Sequence, residues 1–174
     1  NALYYDIRPF ETAKLPLQFG GGTYRLELFE NTQGAQYRRF YEKELNACMP
    51  DENSAFLCSS QIVNFDNPVV SAGLTASLVR GLTGDMEKAR AVYGYVVAHI
   101  AYDYEKFDTL SAGYIPNAEE ILRKGSGICY DFAAVLAVML REAGVPAKLV
   151  KGYREGQTNY HAWNAFYADG RWHT

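Results

Sequence analysis

The sequence predicts an α+β fold in which a β-rich N-terminal segment is followed by helices and then by a final group of strands. Three observations indicate this order. Apolar and polar residues alternate early in the chain, apolar residues recur at helical spacing from residue 67, and alternation returns after Pro146. The chain has 174 residues, of which 48% are hydrophobic and 21% charged, so it is long and apolar enough to bury a core.

Residues 1–66 are predicted to form the β-rich segment. Its predicted strands cover residues 23–30, 36–45 and 55–65. In the first of them Tyr24, Leu26 and Leu28 share one face, which is the pattern of a half-buried strand. Residues 1–2, which stand where a start methionine would be, are interpreted as a cloning remnant.

Helices are predicted for the middle of the chain. Their predicted ranges are residues 67–80, 85–101, 117–124 and 128–143. Asn67 and Asn117 are typical helix N-caps, and Gly81, Gly125 and Gly144 each follow a predicted helix end. The last of these helices is apolar nearly all round, so we expect it to be central and buried.

Strands are predicted again after the last helix. Their ranges are residues 147–153, 161–167 and from 171 onward. Ala168, Asp169 and Gly170, between Tyr167 and Arg171, are a strong hairpin signal. The side chain of Asp169 is therefore expected to serve the turn rather than a catalytic site.

Charge and hydropathy argue against several classes of function. The chain has 17 Lys and Arg against 20 Asp and Glu, a net charge of −3, and no basic run, so we expect no nucleic-acid partner. Its longest apolar stretch covers only residues 132–140, well short of the ~20 residues of a membrane span. The motifs GxGxxG, HExxH and CxxC are absent from the sequence, so no cofactor and no metal are predicted.

Cys129 is the candidate nucleophile because of its position. It follows the segment Gly125-Ser126-Gly127 and opens the apolar helix predicted for residues 128–143. The N-terminus of a helix favours a thiolate, and its N–H groups can stabilise an oxyanion. The alternative is a buried, inert cysteine, which is a common fate of an unpaired thiol.

His161 is the candidate base. A strand that follows the cysteine helix can present the imidazole to the thiol, take its proton and return it to the leaving group. The alternative is an ordinary histidine at the start of a strand. His99 lies within a predicted helix and is interpreted as structural, and Asp131 is interpreted as a complement to the dipole of the cysteine helix.

These residues belong to a longer, ordered series of motifs. The series is Ala101-Tyr102-Asp103, Gly127-Ile128-Cys129-Tyr130-Asp131-Phe132-Ala133, Leu140-Arg141-Glu142-Ala143-Gly144-Val145-Pro146-Ala147, Gly152-Tyr153, His161-Ala162-Trp163-Asn164 and Gly170-Arg171-Trp172. It resembles the transglutaminase-like superfamily, in a bacterial-type form, over residues 67–174. Residues 3–65 have no counterpart in this resemblance.

The resemblance implies a papain-like core in which the cysteine helix packs on an antiparallel sheet. It implies Cys129 as the nucleophile and His161 as the general base and acid. The third residue of the family, an aspartate that orients the histidine, is expected a few residues beyond Trp172. We therefore interpret residues 67–174 as a core truncated at its C-terminal end, and we expect residues 1–174 to be a weak or inactive catalyst.

Four aromatic residues are candidates for the cleft around the thiol. Tyr102 and Tyr130 are candidates to line the acyl site or to donate to an oxyanion, and Trp163 and Trp172 are candidates to form a wall. Core packing is the preferred interpretation for each of them.

The predicted function is a cysteine-dependent hydrolase or acyl transferase that acts on an amide through a thioester. The amide would be a peptide bond or a glutamine side chain, in a protein or peptide substrate that includes cell-wall peptide. One alternative is a protein-glutamine transamidase that forms crosslinks. Another is a non-catalytic module of a cell-surface protein that binds peptide or glycan.

The other two cysteines suggest a compartment. Cys48 and Cys58 flank a loop centred on residue 53, between two predicted strands, so they would lie opposite each other at disulfide distance. Such a pair would leave Cys129 as a single thiol and predicts an extracellular or cell-surface location. The alternative is two reduced, half-buried cysteines.

Overall fold

The structure, a computed structural model, describes residues 2–10, 12–111, 113–153, 155–156 and 159–174. The chain forms two compact units. One consists of residues 17–55, and the other combines residues 1–16 with residues 56–174. This division does not follow the predicted boundary at residues 66 and 67, so that domain boundary stays a prediction.

The unit of residues 17–55 is a two-stranded antiparallel ribbon. Its strands are β1 (Gly22–Gln33) and β2 (Gln36–Ala47), which are longer than predicted but lie in the predicted places. Gly34 takes a φ of 57° in the turn between them, a conformation that favours glycine. On the ribbon surface, Arg39 forms ion pairs with Glu27 and Glu42.

The strand predicted over residues 55–65 is wrong. The segment begins with a 3₁₀ turn, Ser54–Phe56, and continues as a loop. The hydroxyl of Ser60 accepts the N–H of Val63 at 3.2 Å, and the N–H of Ser60 donates to the carbonyl of Val63 at 3.0 Å. These contacts occupy backbone groups that a strand would need for pairing, which is how serine side chains compete with sheets.

Without that strand, the hairpin argument for a Cys48–Cys58 disulfide no longer holds. Both side chains are exposed, and no disulfide is formed among the residues that the structure describes. The pairing therefore stays a prediction that has lost its geometric basis.

The larger unit contains the helices and the remaining strands. The helices are α1 (Ser71–Leu78), α2 (Asp85–His99), α3 (Tyr104–Thr109), α4 (Ala118–Lys124) and α5 (Cys129–Glu142). The strands are β3 (Ala101–Tyr102), β4 (Ser126–Gly127), β5 (Ala147–Tyr153), β6 (Tyr160–Ala168) and β7 (Arg171–His173). None of the helices in the described ranges is both long and apolar enough to span a bilayer.

Helix α5 is the centre of this unit, as the sequence predicts. It packs against α1, α2 and α4, and against the antiparallel sheet of order β5-β6-β7. Its side chains Val135, Met139 and Leu140 are almost completely buried. The side-chain amide of Asn164 on β6 donates to the carbonyl of Ala133 at 2.9 Å and so ties the sheet to the helix. The predicted α+β fold, with a central cysteine helix on an antiparallel sheet, is confirmed.

The starts of helices α4 and α1 show where local sequence signals predict a helix boundary and where they do not. Helix α4 begins as predicted, because the side chain of Asn117 accepts the N–H groups of the first turn. Helix α1 begins at Ser71 and not at Asn67, because the carboxylate of Glu119 on α4 accepts the N–H groups of Val70 and Ser71 at 2.7 and 2.9 Å. A cap supplied from a distant part of the chain leaves no local pattern in the sequence.

Glu142, the last residue of α5, joins that helix to α1. Its carboxylate accepts the hydroxyls of Ser71 and Thr75 at 2.6 and 2.9 Å, and both of these residues are buried. Burial raises the pKa of Glu142, and the two hydroxyl donors offset only part of this effect. The ionised form of the Glu142 side chain is therefore disfavoured in the folded chain relative to the unfolded chain.

We predict that Glu142→Gln stabilises the chain more at pH 7 than at pH 4, relative to the unsubstituted chain. Because the folded pKa lies above the unfolded value, the stabilising contribution of Glu142 is full below the unfolded pKa and is lost as the pH rises through the folded pKa. Glutamine is neutral at both pH values, so the substitution removes this dependence of the free energy of unfolding on pH. The measurement is the free energy of unfolding in urea at both pH values, with exposed Glu105→Gln as the control. A Glu142→Gln effect that is the same at both pH values would contradict the assignment.

Candidate active site

The backbone that leads into Cys129 is held by a short parallel pair of strands. Strand β3 pairs with β4, so that Tyr102 lies opposite Gly127. The N–H of Ala101 donates to the carbonyl of Gly125 at 2.8 Å, and the N–H of Asp103 donates to that of Gly127 at 2.9 Å. The thiol is therefore fixed beside the strand that carries Tyr102.

Cys129 is the first residue of α5 and is half-buried. The first N–H groups of a helix have no partner within it and carry partial positive charge. They favour a thiolate and are available to hydrogen-bond an oxyanion that forms next to the sulfur. The position of Cys129 in the fold thus matches the prediction from its sequence context.

Tyr102 belongs to the strand that pairs with Gly127, two residues before Cys129. Burial raises the pKa of Tyr102, and negative charge on Cys129 raises it further. The hydroxyl of Tyr102 therefore stays protonated at neutral pH and can donate a hydrogen bond.

Asp131 is completely buried in the first turn of α5 and accepts three hydrogen bonds. One carboxylate oxygen accepts the hydroxyl of Tyr114 at 2.6 Å. The other accepts the ammonium of Lys106 at 2.6 Å and the N–H of Ile128 at 2.9 Å. All three partners donate, which suits an ionised carboxylate. The interpretation of Asp131 as a complement to the helix dipole was incomplete, because it is also half of a buried ion pair.

Sequence reasoning missed Lys106 and Tyr114. They precede Asp131 by 25 and 17 residues, and neither lies in a pattern that points to a carboxylate. The one local signal is Gly127. A Cβ at this position would lie 2.6 Å from the Cβ of Asp131, so glycine is required for the aspartate to fold back against the loop.

Two tyrosines at this cluster keep their hydroxyl protons at neutral pH. Burial raises the pKa of Tyr114, and the hydrogen bond to Asp131 raises it further. Burial also raises the pKa of Tyr130 to about 12, with smaller contributions from Tyr114 and Asp131. The rings of Tyr114 and Tyr130 meet edge to face at 6.3 Å between centroids.

The sheet reaches the start of α5 at the residue after Cys129. The ammonium of Lys151 on β5 lies 4.9 Å from the centroid of the Tyr130 ring. Tyr160 is near enough to contribute to the raised pKa of Tyr130, and its ring contacts Tyr153 at 5.1 Å. Tyr160 is the first residue of β6, the strand that carries His161.

His161 is half-buried and lies opposite Gly152 of β5. The ring of Trp163 packs over Gly152, where an added Cβ would be 3.3 Å from Cη2 of the indole. Among the residues that the structure describes, no hydrogen bond joins the Cys129 sulfur to His161. The Cys129–His161 pair therefore stays a prediction.

The comparison with known families assigns the chain to one of them. The family model described as the transglutaminase-like superfamily matches residues 72–174, which is more than half of the chain. The chain belongs to the transglutaminase-like superfamily. The resemblance inferred from the motifs between Ala101 and Trp172 is confirmed, while the bacterial type stays a prediction.

Relatives of this transglutaminase-like chain include two curated proteins. It is 34% identical over 111 residues to the kyphoscoliosis peptidase of Mus musculus and 33% identical to that of Homo sapiens. The match covers 58% of this chain but only 16% of the length of either relative. The activity and substrates of those whole proteins are therefore not transferred by the match alone.

Solved structures share the fold. One is a candidate cysteine protease from Cytophaga hutchinsonii, with a TM-score of 0.59 and 19% identity over 71% of this chain and 41% of that one. Another is the periplasmic domain of TgpA from Pseudomonas aeruginosa, with a TM-score of 0.54 and 20% identity over 78% of this chain and 52% of that one. At such identities the likeness shows the transglutaminase-like fold and no more.

The remaining aromatic candidate, Trp172, is explained by packing. Its ring contacts Phe56 at 5.2 Å and Tyr167 at 5.5 Å, and the ammonium of Lys148 lies 3.7 Å from its centroid. These contacts pack the indole of Trp172 against Phe56, Tyr167 and Lys148. A place for Trp172 in the cleft stays a prediction.

The other histidines have structural contacts. His99 stacks on Tyr95 at 4.1 Å, and its Nδ1 lies 2.9 Å from the carbonyl of the same residue. His173 stacks on Phe166, and its Nε2 lies 3.0 Å from the carbonyl of Ala168. Within the described ranges, no group of three or more His, Cys, Asp or Glu side chains is placed to hold a metal ion.

Proposed function

We propose that the chain is a cysteine-dependent amide hydrolase with Cys129 as its nucleophile and His161 as its general base and acid. The observation that carries this proposal is the position of Cys129 at the first residue of α5, two residues after Gly127, which pairs with Tyr102. A thiol at this place combines the field of the helix with free N–H donors. The family membership of the chain supports the same chemistry.

The reaction proceeds in two halves. His161 accepts the thiol proton as the Cys129 sulfur bonds to the amide carbon, and the carbonyl oxygen accepts hydrogen bonds from the start of α5. The carbon–nitrogen bond then breaks, His161 protonates the amine that leaves, and a thioester remains. A water molecule, deprotonated by His161, hydrolyses the thioester and frees the thiol. We propose that Tyr102 donates a further hydrogen bond to the oxyanion.

The missing hydrogen bond between Cys129 and His161 is compatible with this assignment. Catalytic hydrogen bonds in structures without substrate are often long and shorten only in the complex. What supports His161 is its place within residues 72–174, which match the family model, in a motif that resembles the family. The aspartate that would orient the histidine stays a prediction.

We propose a protein or peptide as the substrate. Tyr104 and Phe107, both exposed, lie against Tyr102 with centroids 4.8 and 6.4 Å from it. On the side of the sheet, Tyr153 and Tyr160 are also exposed. Exposed tyrosines offer apolar area with a polar end, which suits an extended polypeptide.

Hydrolysis is favoured over transamidation because the curated relatives that match are named peptidases. A protein-glutamine transamidase is the second candidate, and it differs only in the acceptor that resolves the thioester. A non-catalytic peptide- or glycan-binding module is the third, and it needs no reactive thiol.

The test is the rate at which iodoacetamide modifies each cysteine at pH 7, followed by mass spectrometry of peptides. Cys48 and Cys58 are exposed and Cys129 is half-buried, so access alone predicts that Cys129 reacts slowest. We expect Cys129 to react at least tenfold faster than the other two because it forms the thiolate more easily. If Cys129 reacts no faster than Cys48, the proposal is overturned and the binding module is favoured.

The same mass measurement tests the proposed location outside the cell. Alkylation of the denatured chain without reductant counts the free thiols. One free thiol supports the Cys48–Cys58 disulfide and export, and three free thiols argue against the disulfide.

A further inference from the structure

The carboxylate of Asp131 presents an electrostatic problem for the proposed nucleophile. It lies two residues from Cys129, in the first turn of the same helix, and is completely shielded from water. A buried negative charge at this place cancels part of the positive field at the N-terminus of α5 and repels a thiolate. A positive charge paired with the carboxylate removes this effect.

The ammonium of Lys106 supplies that opposite charge. It lies 2.6 Å from the carboxylate and 4.3 Å from the centroid of the Tyr114 ring. Lys106 comes from α3, a helix of six residues in which no side chain is fully buried. The side chain of Lys106 is 24% exposed, so most of its stem is covered while its ammonium pairs with the carboxylate.

We propose that Lys106 is a positioning residue that acts on Cys129 through Asp131. Its ammonium neutralises the buried carboxylate and, together with the Tyr114 hydroxyl, holds it in place, so that the field of α5 acts fully on the sulfur. This inference rests on the proposed function, because it assumes that Cys129 works as a thiolate.

Other titratable groups surround the start of α5. They are Tyr102 of β3, Asp103 before α3, Asp108 of α3, Tyr114 before α4, Glu120 of α4, Tyr130 of α5, Lys151 of β5 and Tyr160 of β6. The proposed function adds His161. Asp103 is paired with Lys124 at 2.8 Å, so its charge is already balanced. The pKa values of Tyr102, Tyr114 and Tyr130 are raised, so these three are neutral at pH 7. All of these groups are common to the variants below, so a change between variants reports on the Lys106–Asp131 pair.

The experiment measures the rate of Cys129 alkylation by iodoacetamide as a function of pH, in four variants and the unsubstituted chain. Lys106→Met leaves the Asp131 charge unbalanced, and we expect the midpoint of the profile to move to higher pH and the rate at pH 7 to fall about tenfold. Asp131→Asn removes the negative charge, and we expect the midpoint to move to lower pH. Lys106→Arg keeps the charge and should keep the profile of the unsubstituted chain.

The double variant Lys106→Met/Asp131→Asn separates electrostatics from structure. It lacks both charges, so we expect its midpoint to return to that of the unsubstituted chain. If Lys106 only held α3 in place, Lys106→Met would slow Cys129 alkylation, and adding Asp131→Asn would not restore the rate. If Lys106→Met unfolds the chain, the shift of the alkylation midpoint to lower pH in Asp131→Asn and the profile of the double variant still test the role of Lys106.

The outcomes distinguish the inference from the proposed function. If Cys129 of the unsubstituted chain reacts no faster than Cys48 and Cys58, the proposed function fails. If Cys129 is reactive but its profile is the same in Lys106→Met, Asp131→Asn and the unsubstituted chain, the role of Lys106 is wrong and the proposed function stands.

Discussion

Replacing Cys129 by alanine is expected to abolish the burst of p-nitrophenol that we expect p-nitrophenyl acetate to give with the unsubstituted chain. Replacing His161 by alanine is expected to slow the burst by about 10²–10⁴-fold, the usual contribution of a general base. An activated ester is the right probe, because its leaving group needs no proton and the acyl step is visible even where amide cleavage is slow. The measurement is stopped-flow absorbance, with the burst amplitude compared with the chain concentration.

Two comparisons make this result specific. His99→Ala removes a histidine whose contacts lie within α2, so it should leave the burst unchanged. The double variant Cys129→Ala/His161→Ala should be no slower than Cys129→Ala, because residues that act as a unit have non-additive effects. A burst of normal rate in His161→Ala would show that another group takes the thiol proton.

The elements that the sequence predicted well are those with signals inside them. Helix α5 is apolar on nearly every side, and Gly144 and Pro146 mark its end within a few residues. The hairpin of β6 and β7 has Asp169 and Gly170 at φ of 51° and 77°, the conformation that this pair of residues favours. In both cases a local pattern and the final packing agree, so the sequence alone is sufficient.

The features that were mispredicted or missed depend on contacts between distant residues. The start of α1 is determined by Glu119, which lies 48 residues beyond Ser71. Helix α3 is six residues long, too short for an apolar period, and begins where Asp103 accepts the N–H of Lys106. The serine-rich segment after Phe56 resembles a strand in composition, but its side chains bond to its own backbone.

The same distinction applies to the candidate site. Cys129 and His161 each lie in a motif that can be found by reading along the chain. The balance of charge beneath the nucleophile cannot be found in this way, because Lys106, Tyr114 and Asp131 come together only in the fold. A buried carboxylate two residues after a cysteine is a signal that some donor must exist, without indicating which.

Gly127→Ala is expected to destabilise the chain by about 2–3 kcal/mol, the cost of overpacking with the partial loss of buried hydrogen bonds. The new Cβ would lie 2.6 Å from the Cβ and 2.8 Å from Oδ2 of Asp131. The aspartate cannot move aside without lengthening its bonds to Lys106, Tyr114 and the N–H of Ile128. The measurement is the free energy of unfolding in urea, with Cys129 alkylation recorded in parallel.

Gly94→Ala is the matched control, since it makes the same change at a place without neighbours. Gly94 lies on the exposed face of α2, and no atom lies within 4 Å of an added Cβ. Alanine should stabilise this helix by up to ~1 kcal/mol, because glycine is the poorer helix former. The two substitutions should therefore have opposite signs, and Cys129 alkylation should slow only in Gly127→Ala. If Gly127→Ala were as stable as Gly94→Ala, Asp131 would not be held against the loop, and the charge beneath Cys129 would be free to turn towards solvent.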